Sequence, residues 1–476
     1  MDAGRLTMAS ARILQRSRWV ALVVVSLGQL MSVVDETIVN VALAPIQRGL
    51  HFALPDLTWI LNAYLISFGG FLLVAGRLGD LVGRRRVFLI GVMVFTASSA
   101  VCGAADSKTV LIAARFVQGL GAAAASSTII AIVATDFGDA TDRARAMGIY
   151  SFIASGGASL GLLAGGFITH ALGWHWIFLI NVPIGVITLV LGRLSIRENT
   201  APGIDRGSDI LAALLVTAAL MVLVYAIVTS SSAGWLSAHT LSACAIAGVL
   251  MLSFVAAQAR TANPMMPLRV FRTPGLGAAC IVRGLLMVGF FATLFIGVLY
   301  LETAHRYGPL QTGLSFVSQT VVYSSISLGP AAILVQRFGP RLPLLVGFPP
   351  MIAGLLLFAH AGAHTAYFFT LCAAFAATGI GGGLMFMPLL IVAMAEIGPS
   401  DAGLASGIIN ASTQMSAALG VAVLGTIAAD RTRNLLLHGA HRPFALLDGY
   451  HLAFAVGTGA VVAAAMLTVL LIRGRR

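Results

Sequence analysis

Apolar segments of about 20 residues recur along the whole chain, separated by short charged or turn-forming stretches. Such a segment crosses a bilayer as a helix, because its backbone groups must be hydrogen-bonded within the segment itself. The predicted spans lie near residues 19–41, 57–75, 87–105, 109–134, 147–169, 176–194, 209–229, 239–258, 276–300, 311–334, 343–361, 365–395, 402–428 and 450–472. The pattern therefore predicts an all-α polytopic membrane protein with 14 transmembrane helices.

Composition excludes several other classes of protein. Of 476 residues, 58% are hydrophobic and only 10% are charged, and the mean hydropathy is +0.95, which lies outside the range of soluble domains. The net charge of +12 does not indicate nucleic-acid binding, because the basic residues lie in short loops rather than in one stripe with aromatics. Isolated cysteines predict no metal site, and the lack of a phosphate-binding Gly-Lys-Ser/Thr run predicts no nucleotide site and no cofactor. The sequence shows no cluster of catalytic polar groups at one depth, so it predicts no enzymatic activity.

The positive charges and one repeated loop predict the organisation of the chain. Basic residues concentrate on the side that holds both termini, which places the termini in the cytoplasm. The loop GRLGDLVGRRR at 76–86 recurs in altered form as VQRFGPRLP at 335–343, as expected for two related halves. The expected partition is a cytoplasmic segment (1–18), a six-helix bundle (19–194), a linker with two inserted helices (195–258), a second six-helix bundle (259–472) and a cytoplasmic tail (473–476).

Charged residues inside the predicted spans are the main candidates for function. Asp35 and Glu36 lie in the first span and Arg115 lies in the fourth. Asp35 and Arg115 are both about six residues from the outer end of their helix, or about 9 Å deep at 1.5 Å per residue. A buried acid can take up and release a proton as a guanidinium moves, although a static ion pair that only orients helices is the alternative. Glu36 points about 100° away from Asp35, so only one of the two acids is expected to face a central cavity.

Two glycine patterns predict close packing or tight turns. In the loop at 76–86, we expect Gly76, Asp80, Gly83, Arg84 and Arg85 to form a cytoplasmic latch that stabilises one state of a moving bundle. In the fifth span, Gly157, Gly161 and Gly165 recur every four residues, which flattens one helix face and lets another backbone approach closely.

These motifs resemble the major facilitator superfamily, and within it the fourteen-helix drug:proton antiporter family. The matching segments are DETIVNVAL at 35–43, the loop at 76–86, LIAARFVQGLGAA at 111–123 and GWHWIFLINVPIG at 173–185, together with the glycines Gly148, Gly157, Gly161, Gly165 and Gly166 of the antiporter signature. Leu162 stands where that family has proline. The resemblance implies that Asp35, rather than Glu36, faces the cavity and carries the proton, with Arg115 as its partner.

A cavity for a substrate would be lined by polar and aromatic residues within the spans. The candidates are Asn40, Asn62, Tyr64, Gln118, Arg283, Gln319, Asn410 and Gln414. Arg283 either lines the cavity or extends to the cytoplasmic surface. Glu302, at the outer end of the ninth span, is either a proton entry point or an ordinary solvated helix end.

The resemblance implies a monomeric, proton-coupled exporter of small hydrophobic or amphiphilic drugs or antibiotics in the cell membrane. The abundance of Ala and Gly and the use of Arg over Lys suggest a bacterial source. Two alternatives stay open within transport: an exporter of one self-made metabolite and a proton-coupled importer. A non-transporting receptor or scaffold is a third alternative, although such a protein is expected to lose the intramembrane acid that this chain keeps.

Overall fold

A computed structural model of the chain describes residues 2–137, 140–196, 198, 210–261, 274–363, 365–395 and 402–472, and every regular element in these ranges is helical. The N-terminal helices are α1 (Asp2–Ile38), α2 (Leu43–Leu50), α3 (Leu54–Val82), α4 (Arg84–Gly103), α5 (Lys108–Asp136), α6 (Ala140–Leu172), α7 (His175–Leu179) and α8 (Asn181–Ser195). The middle pair is α9 (Ile210–Ala233) and α10 (Ala238–Arg260). The C-terminal helices are α11 (Pro274–Phe291), α12 (Gly297–Thr303), α13 (Pro309–Ser315), α14 (Val317–Leu328), α15 (Pro330–Phe338), α16 (Arg341–Ala359), α17 (Cys372–Met394), α18 (Ala402–Leu437) and α19 (Arg442–Leu471).

The lengths of these helices match a membrane-spanning protein. Within the described ranges, 11 helices or consecutive helix groups are long and apolar enough to cross a bilayer, by length and composition. The remaining predicted spans, near 57–75, 147–169 and 209–229, lie on α3, α6 and α9. The all-helical class is therefore confirmed, while the total of 14 spans and the orientation of the termini stay predictions.

The first span is interrupted just after its two acids. It extends from Arg18 to Leu50, well beyond the predicted end at 41, and a 3₁₀ turn at Asn40–Ala42 separates α1 from α2. Pro45 explains the interruption, because it has no N–H to donate and its ring would clash with the carbonyl four residues earlier in a regular α-helix. The Asn40 side-chain amide donates to the carbonyl oxygens of Glu36 (3.1 Å) and Thr37 (3.2 Å), in the last turn of α1.

Two groups of helices build the molecule, and we call α1–α8 the N-terminal bundle and α11–α19 the C-terminal bundle. The bundles meet chiefly where α3 packs on α18 and where α6 packs on α13. The α9 helix contacts both α3 and α18, while α10 packs on α9. One bond in this region joins the Thr426 hydroxyl of α18 to the Ile227 carbonyl of α9 at 3.2 Å. We call the contact of α3 with α18 and of α6 with α13 the seam between the two bundles, and α9 lies beside it.

Candidate functional site

A buried carboxylate lies at the centre of the N-terminal bundle. Asp35 of α1 is 0% exposed, and donors from two other helices surround it. Its Oδ2 atom accepts from Arg115 Nη1 at 2.5 Å, and its Oδ1 atom accepts from Gln118 Nε2 (2.9 Å) and Asn181 Nδ2 (2.8 Å). Three hydrogen bonds and one opposite charge stabilise the ionised form of this carboxylate, which would otherwise be costly at this depth.

Arg115 of α5 is as deeply buried as its partner and is held from several sides. Its Nη1 atom also donates to Gln118 Oε1 at 2.6 Å, and its Nε atom donates to the Ile60 carbonyl of α3 at 3.1 Å. The guanidinium carbon lies 4.4 Å from the ring centroid of Tyr64 and 5.7 Å from that of Phe178, within the range of cation–π attraction. The equal depths predicted for Asp35 and Arg115 therefore correspond to a direct contact.

The hydrogen-bond network extends from this pair to a fifth helix. Gln118 Nε2 donates to the Ser99 hydroxyl of α4 at 2.6 Å, and Cys102 lies on the same helix, 3.7 Å from Gln118 Oε1. Together with Asp35, Arg115 and Asn181, these residues connect α1, α3, α4, α5 and α8. Asp35 is therefore bonded directly to α5 and α8, and it is connected to α3 and α4 through Arg115 and Gln118.

The two adjacent acids contact different groups of helices. Glu36 is half-buried and turns toward the C-terminal bundle, where the Gln414 amide of α18 donates to its Oε2 atom at 3.4 Å. As expected for neighbouring positions on a helix, the two acids meet different groups, and Asp35 pairs with Arg115 inside its own bundle. The acid between the bundles is therefore Glu36.

The other cavity candidates divide into buried residues and residues near the seam. Asn40 caps the broken end of α1, and Gln319 donates to the Thr378 hydroxyl at 3.1 Å inside the C-terminal bundle. Asn62 of α3 is fully buried, and neither polar atom of its side chain has a hydrogen-bond partner among the described residues. Asn410 is exposed on α18, the helix that also carries Gln414.

Arg283 lies within its own bundle rather than against an acid. It is half-buried on α11, with its guanidinium carbon 5.4 Å from the ring centroid of Phe386. Its Nε atom is buried without a hydrogen-bond partner in the described part of the chain. The two interpretations from the sequence, that Arg283 lines the cavity or extends to the cytoplasmic surface, both stay predictions.

The described contacts of the loop at 76–86 are with the N-terminal bundle and with Glu198, which follows α8. Gly83 adopts a φ of +116°, a conformation that favours glycine, and so forms the turn between α3 and α4. Arg84 donates to the Ala131 carbonyl of α5 at 3.2 Å, and Arg85 donates to the Arg193 carbonyl of α8 at 2.6 Å. Gly76 lies near the side chain of Ser127. The side chain of Asp80 lies outside the described residues, as does the surrounding of Gly148 in the fifth span.

The glycines of α6 make close contacts with other helices. Gly157 faces Leu30 and Val33 of α1, Gly161 faces Val34 and Thr37, and Gly165 faces Ile38 and Val41. A Cβ atom at Gly161 would lie 2.9 Å from the Val34 carbonyl oxygen, so only glycine fits without a shift. Gly166 turns to the other side and packs on Pro309 of α13.

Sequence reasoning missed several members of the buried network. Asn181 was part of the segment at 173–185, but its bond to Asp35 was not foreseen, and Ser99 and the Ile60 carbonyl were not considered. Asn181 is a polar residue that directly follows an apolar run, and this pattern could have identified it as a member of the network. A backbone carbonyl carries no such signal, because every residue has one.

Two groups of membrane-length helices, with an acid–guanidinium pair buried inside one of them, are typical of secondary transporters. The family model described as Major Facilitator Superfamily matches residues 25–301 and 279–476. The chain belongs to the major facilitator superfamily, and so it is a multi-pass membrane transport protein and not an enzyme.

Similar proteins agree with this assignment. The chain is 33% identical over 464 residues to the puromycin resistance protein pur8 of Streptomyces alboniger, covering 96% of this chain and 92% of that protein. It is 34% identical over 416 residues to the multidrug resistance protein Stp of Mycobacterium tuberculosis, covering 87% of this chain and 77% of that protein. A crystal structure of an auto-inhibited peptide transporter of the POT family has the same fold, with a TM-score of 0.71 at 15% identity over 97% of this chain and 98% of that one.

Proposed function

We propose that this protein is a proton-coupled efflux transporter that exports small hydrophobic or amphiphilic compounds from a bacterial cell by alternating access. The observation that carries the proposal is the fully buried pair of Asp35 and Arg115, whose bonds reach five helices of a major facilitator fold. A charge kept at such a depth is characteristic of ion or proton movement. The names of the similar proteins, one a puromycin and one a multidrug resistance protein, support the direction and the type of cargo.

The proton step follows from the bonds of the carboxylate. A proton that reaches Asp35 removes its negative charge, so that the ion pair with Arg115 becomes a neutral contact and the Asn181 amide loses a charged acceptor. Arg115 keeps its bonds to Gln118 and to the Ile60 carbonyl. The helices that these groups connect then have a different lowest-energy arrangement, which shifts the population of the two access states.

Return to the starting arrangement follows from loss of that proton. Once the proton leaves toward the cytoplasm, the unpaired guanidinium of Arg115 attracts the ionised carboxylate again. Because entry and exit of the proton occur in different access states, one cycle moves a proton inward and one substrate outward. The loop residues Gly76, Asp80, Gly83, Arg84 and Arg85 would act as the cytoplasmic latch of this cycle, and the molecule would work as a monomer.

A second candidate function is export of one self-made compound. The similar protein from Streptomyces alboniger is named for resistance to a single compound, which favours a narrow range of cargo. A panel of chemically different substrates separates the two functions, because a narrow exporter moves one member of the panel and a multidrug exporter moves several. An importer would move its substrate in the direction of the proton, and a receptor would move none.

The test uses purified full-length protein in liposomes loaded with a fluorescent lipophilic cation, with an imposed pH gradient. The proposal predicts substrate movement against the direction of proton flow, and loss of that movement when an ionophore removes the gradient. Transport that continues at the same rate without a gradient would contradict proton coupling, and the absence of transport for every compound in the panel would contradict the efflux function.

A further inference from the structure

Arg283 is a charged side chain of the C-terminal bundle for which the described residues supply no counterion. Its guanidinium forms no ion pair and no hydrogen bond within the described part of the chain, and its Nε atom is buried. Asp35 does not compensate it, because that carboxylate pairs with Arg115 in the other bundle. Glu36 meets the Gln414 amide instead. A cation held within a bilayer without a partner is costly, and it is therefore a candidate for binding an anion.

The guanidinium of Arg283 lies well inside the bundle. Arg283 follows the start of its membrane-length segment, Gly275, by eight residues, or about 12 Å at 1.5 Å per residue. The guanidinium stays near that depth, because its carbon atom lies 5.4 Å from the ring centroid of Phe386. Phe386 is six residues, or about 9 Å, further in than Val392, whose carbonyl oxygen would lie 2.9 Å from a Cβ atom at Gly275. The side chain therefore points into the bundle, and because it is only half-buried a ligand can reach it.

The ring beside the guanidinium belongs to a group of three aromatic side chains, Phe290, Tyr323 and Phe386, which we call the aromatic cluster. The ring centroid of Phe386 on α17 lies 6.2 Å from that of Tyr323 on α14 and 6.0 Å from that of Phe290 on α11. All three side chains are half-buried, so each keeps part of its surface accessible. A Cβ atom at Gly382 would lie 3.1 Å from the Tyr323 ring, so this glycine lets α17 approach the ring closely. Apolar and aromatic walls with one charged group are typical of pockets for small ligands.

We infer that Arg283 is the specificity-determining residue for acidic aromatic compounds, whose anionic group pairs with the guanidinium while their rings pack on the aromatic cluster. The inference rests on the proposed efflux function and names one chemical class within its cargo. The planar guanidinium suits a carboxylate or a sulfonate, because it can donate two parallel N–H···O bonds to such a group. The ligand then supplies the counterion that the described residues lack.

The test compares two probes that share one ring system, the anion 1-anilinonaphthalene-8-sulfonate and the neutral N-phenyl-1-naphthylamine. Their dissociation constants are measured with the full chain in phosphatidylcholine nanodiscs, and empty nanodiscs give the blank. In Arg283→Gln we expect the affinity for the sulfonate to fall about tenfold or more, and a factor of ten corresponds to about 1.4 kcal/mol. The affinity for the neutral probe should stay within about twofold, which also shows that the variant is folded.

Three further variants separate recognition of the anion from other effects. Arg283→Lys keeps the charge but not the planar fork, so it should recover part of the sulfonate affinity that Arg283→Gln loses. Phe386→Leu removes one ring of the aromatic cluster and should weaken the binding of both probes. Arg260→Gln removes one positive charge from the exposed end of α10 and should change neither affinity, so it controls for the net charge of the protein.

A lipid headgroup offers the same anionic chemistry as a substrate. Addition of phosphatidylglycerol to the nanodiscs distinguishes the two sources. The inference predicts that the parent protein still binds the sulfonate more tightly than Arg283→Gln does. If phosphatidylglycerol abolishes that difference, the site holds a lipid and the inference is wrong.

Failure of the inference is distinguishable from failure of the proposed function. Equal changes in the two affinities in Arg283→Gln, no change in either, or an equal effect of Arg260→Gln would overturn the role of Arg283. A parent protein that binds neither probe, or only the neutral one, would overturn it as well. Gradient-driven movement of a panel of compounds in liposomes tests the function separately. A parent protein that binds the sulfonate through Arg283 but moves no compound would support the anion site and contradict the efflux function.

Discussion

Gly166 of α6 lies against Gly313 of α13, so that the two bundles touch backbone to backbone at this point. A Cβ atom at Gly313 would lie 3.4 Å from the Gly166 Cα atom and 2.7 Å from the Leu162 carbonyl oxygen. A Cβ atom at Gly166 would lie 2.6 Å from the Pro309 carbonyl oxygen. The predicted orientation puts this contact on the external side, where it would close the outer entrance.

Substitution at this contact should prevent close approach of the bundles. In Gly313→Ala the added methyl group meets a backbone carbonyl that cannot rotate away, and overpacking of this kind costs about 1–3 kcal/mol. We expect the closed population to fall, with transport reduced about tenfold and greater access of an impermeant thiol reagent to a cysteine placed in α13. Gly308→Ala is the matched control, because a Cβ atom there meets nothing within 4 Å. Equal effects of the two variants would contradict the role of the contact.

Asn181 should influence transport through its bond to Asp35. The amide donates to the carboxylate at 2.8 Å and so joins α8 to α1. In Asn181→Ala that bond is lost, and we expect gradient-driven transport to fall about tenfold, which corresponds to about 1.4 kcal/mol. The rate is measured in liposomes under an imposed pH gradient. Ser98→Ala is the control, because that hydroxyl bonds within its own helix, and an unchanged rate in Asn181→Ala would show that the bond does not contribute to the transport cycle.

The glycine contacts between α6 and α1 should affect the stability of the fold more than the coupling of transport to the proton. Gly161→Ala places a methyl group against Thr37 and the Val34 carbonyl, and we expect a loss of about 1–3 kcal/mol in stability, seen as a lower melting temperature in detergent. Adding Thr37→Ala removes the hydroxyl that the methyl group meets and should restore part of the loss. Gly459→Ala on α19 has open space around it and should melt as the parent protein does. If the double variant Gly161→Ala, Thr37→Ala melts no higher than Gly161→Ala, the loss of stability does not come from the contact with the Thr37 hydroxyl.

Sequence patterns predicted the helices well, because hydrophobic length in a membrane is a local property. Each predicted span falls mainly on helical residues, although those near 276–300 and 311–334 are divided among consecutive helices, and the resemblance to the superfamily is confirmed by the family match. The equal depths of Asp35 and Arg115 also follow from helix geometry alone. The interruption at Asn40 was not predicted, although Pro45 carries a signal for it.

The details of the site depend on contacts between distant parts of the chain. Helix geometry predicts that Asp35 and Glu36 point in different directions, but not which direction faces the other bundle. That choice depends on where α5 and α18 lie, since Arg115 attracts one acid and Gln414 meets the other. The bonds from Asn181 and from the Ile60 carbonyl likewise appear only once α8 and α3 are packed around the pair.

The most direct test of the account is transport by Asp35→Asn under an imposed pH gradient. Asparagine keeps the shape of the side chain but holds neither the charge nor a transferable proton, so the account predicts that gradient-driven efflux of a lipophilic cation is lost for a protein that is still folded and inserted. Gradient-driven efflux at the parent rate in Asp35→Asn would contradict the assignment of Asp35 as the proton carrier.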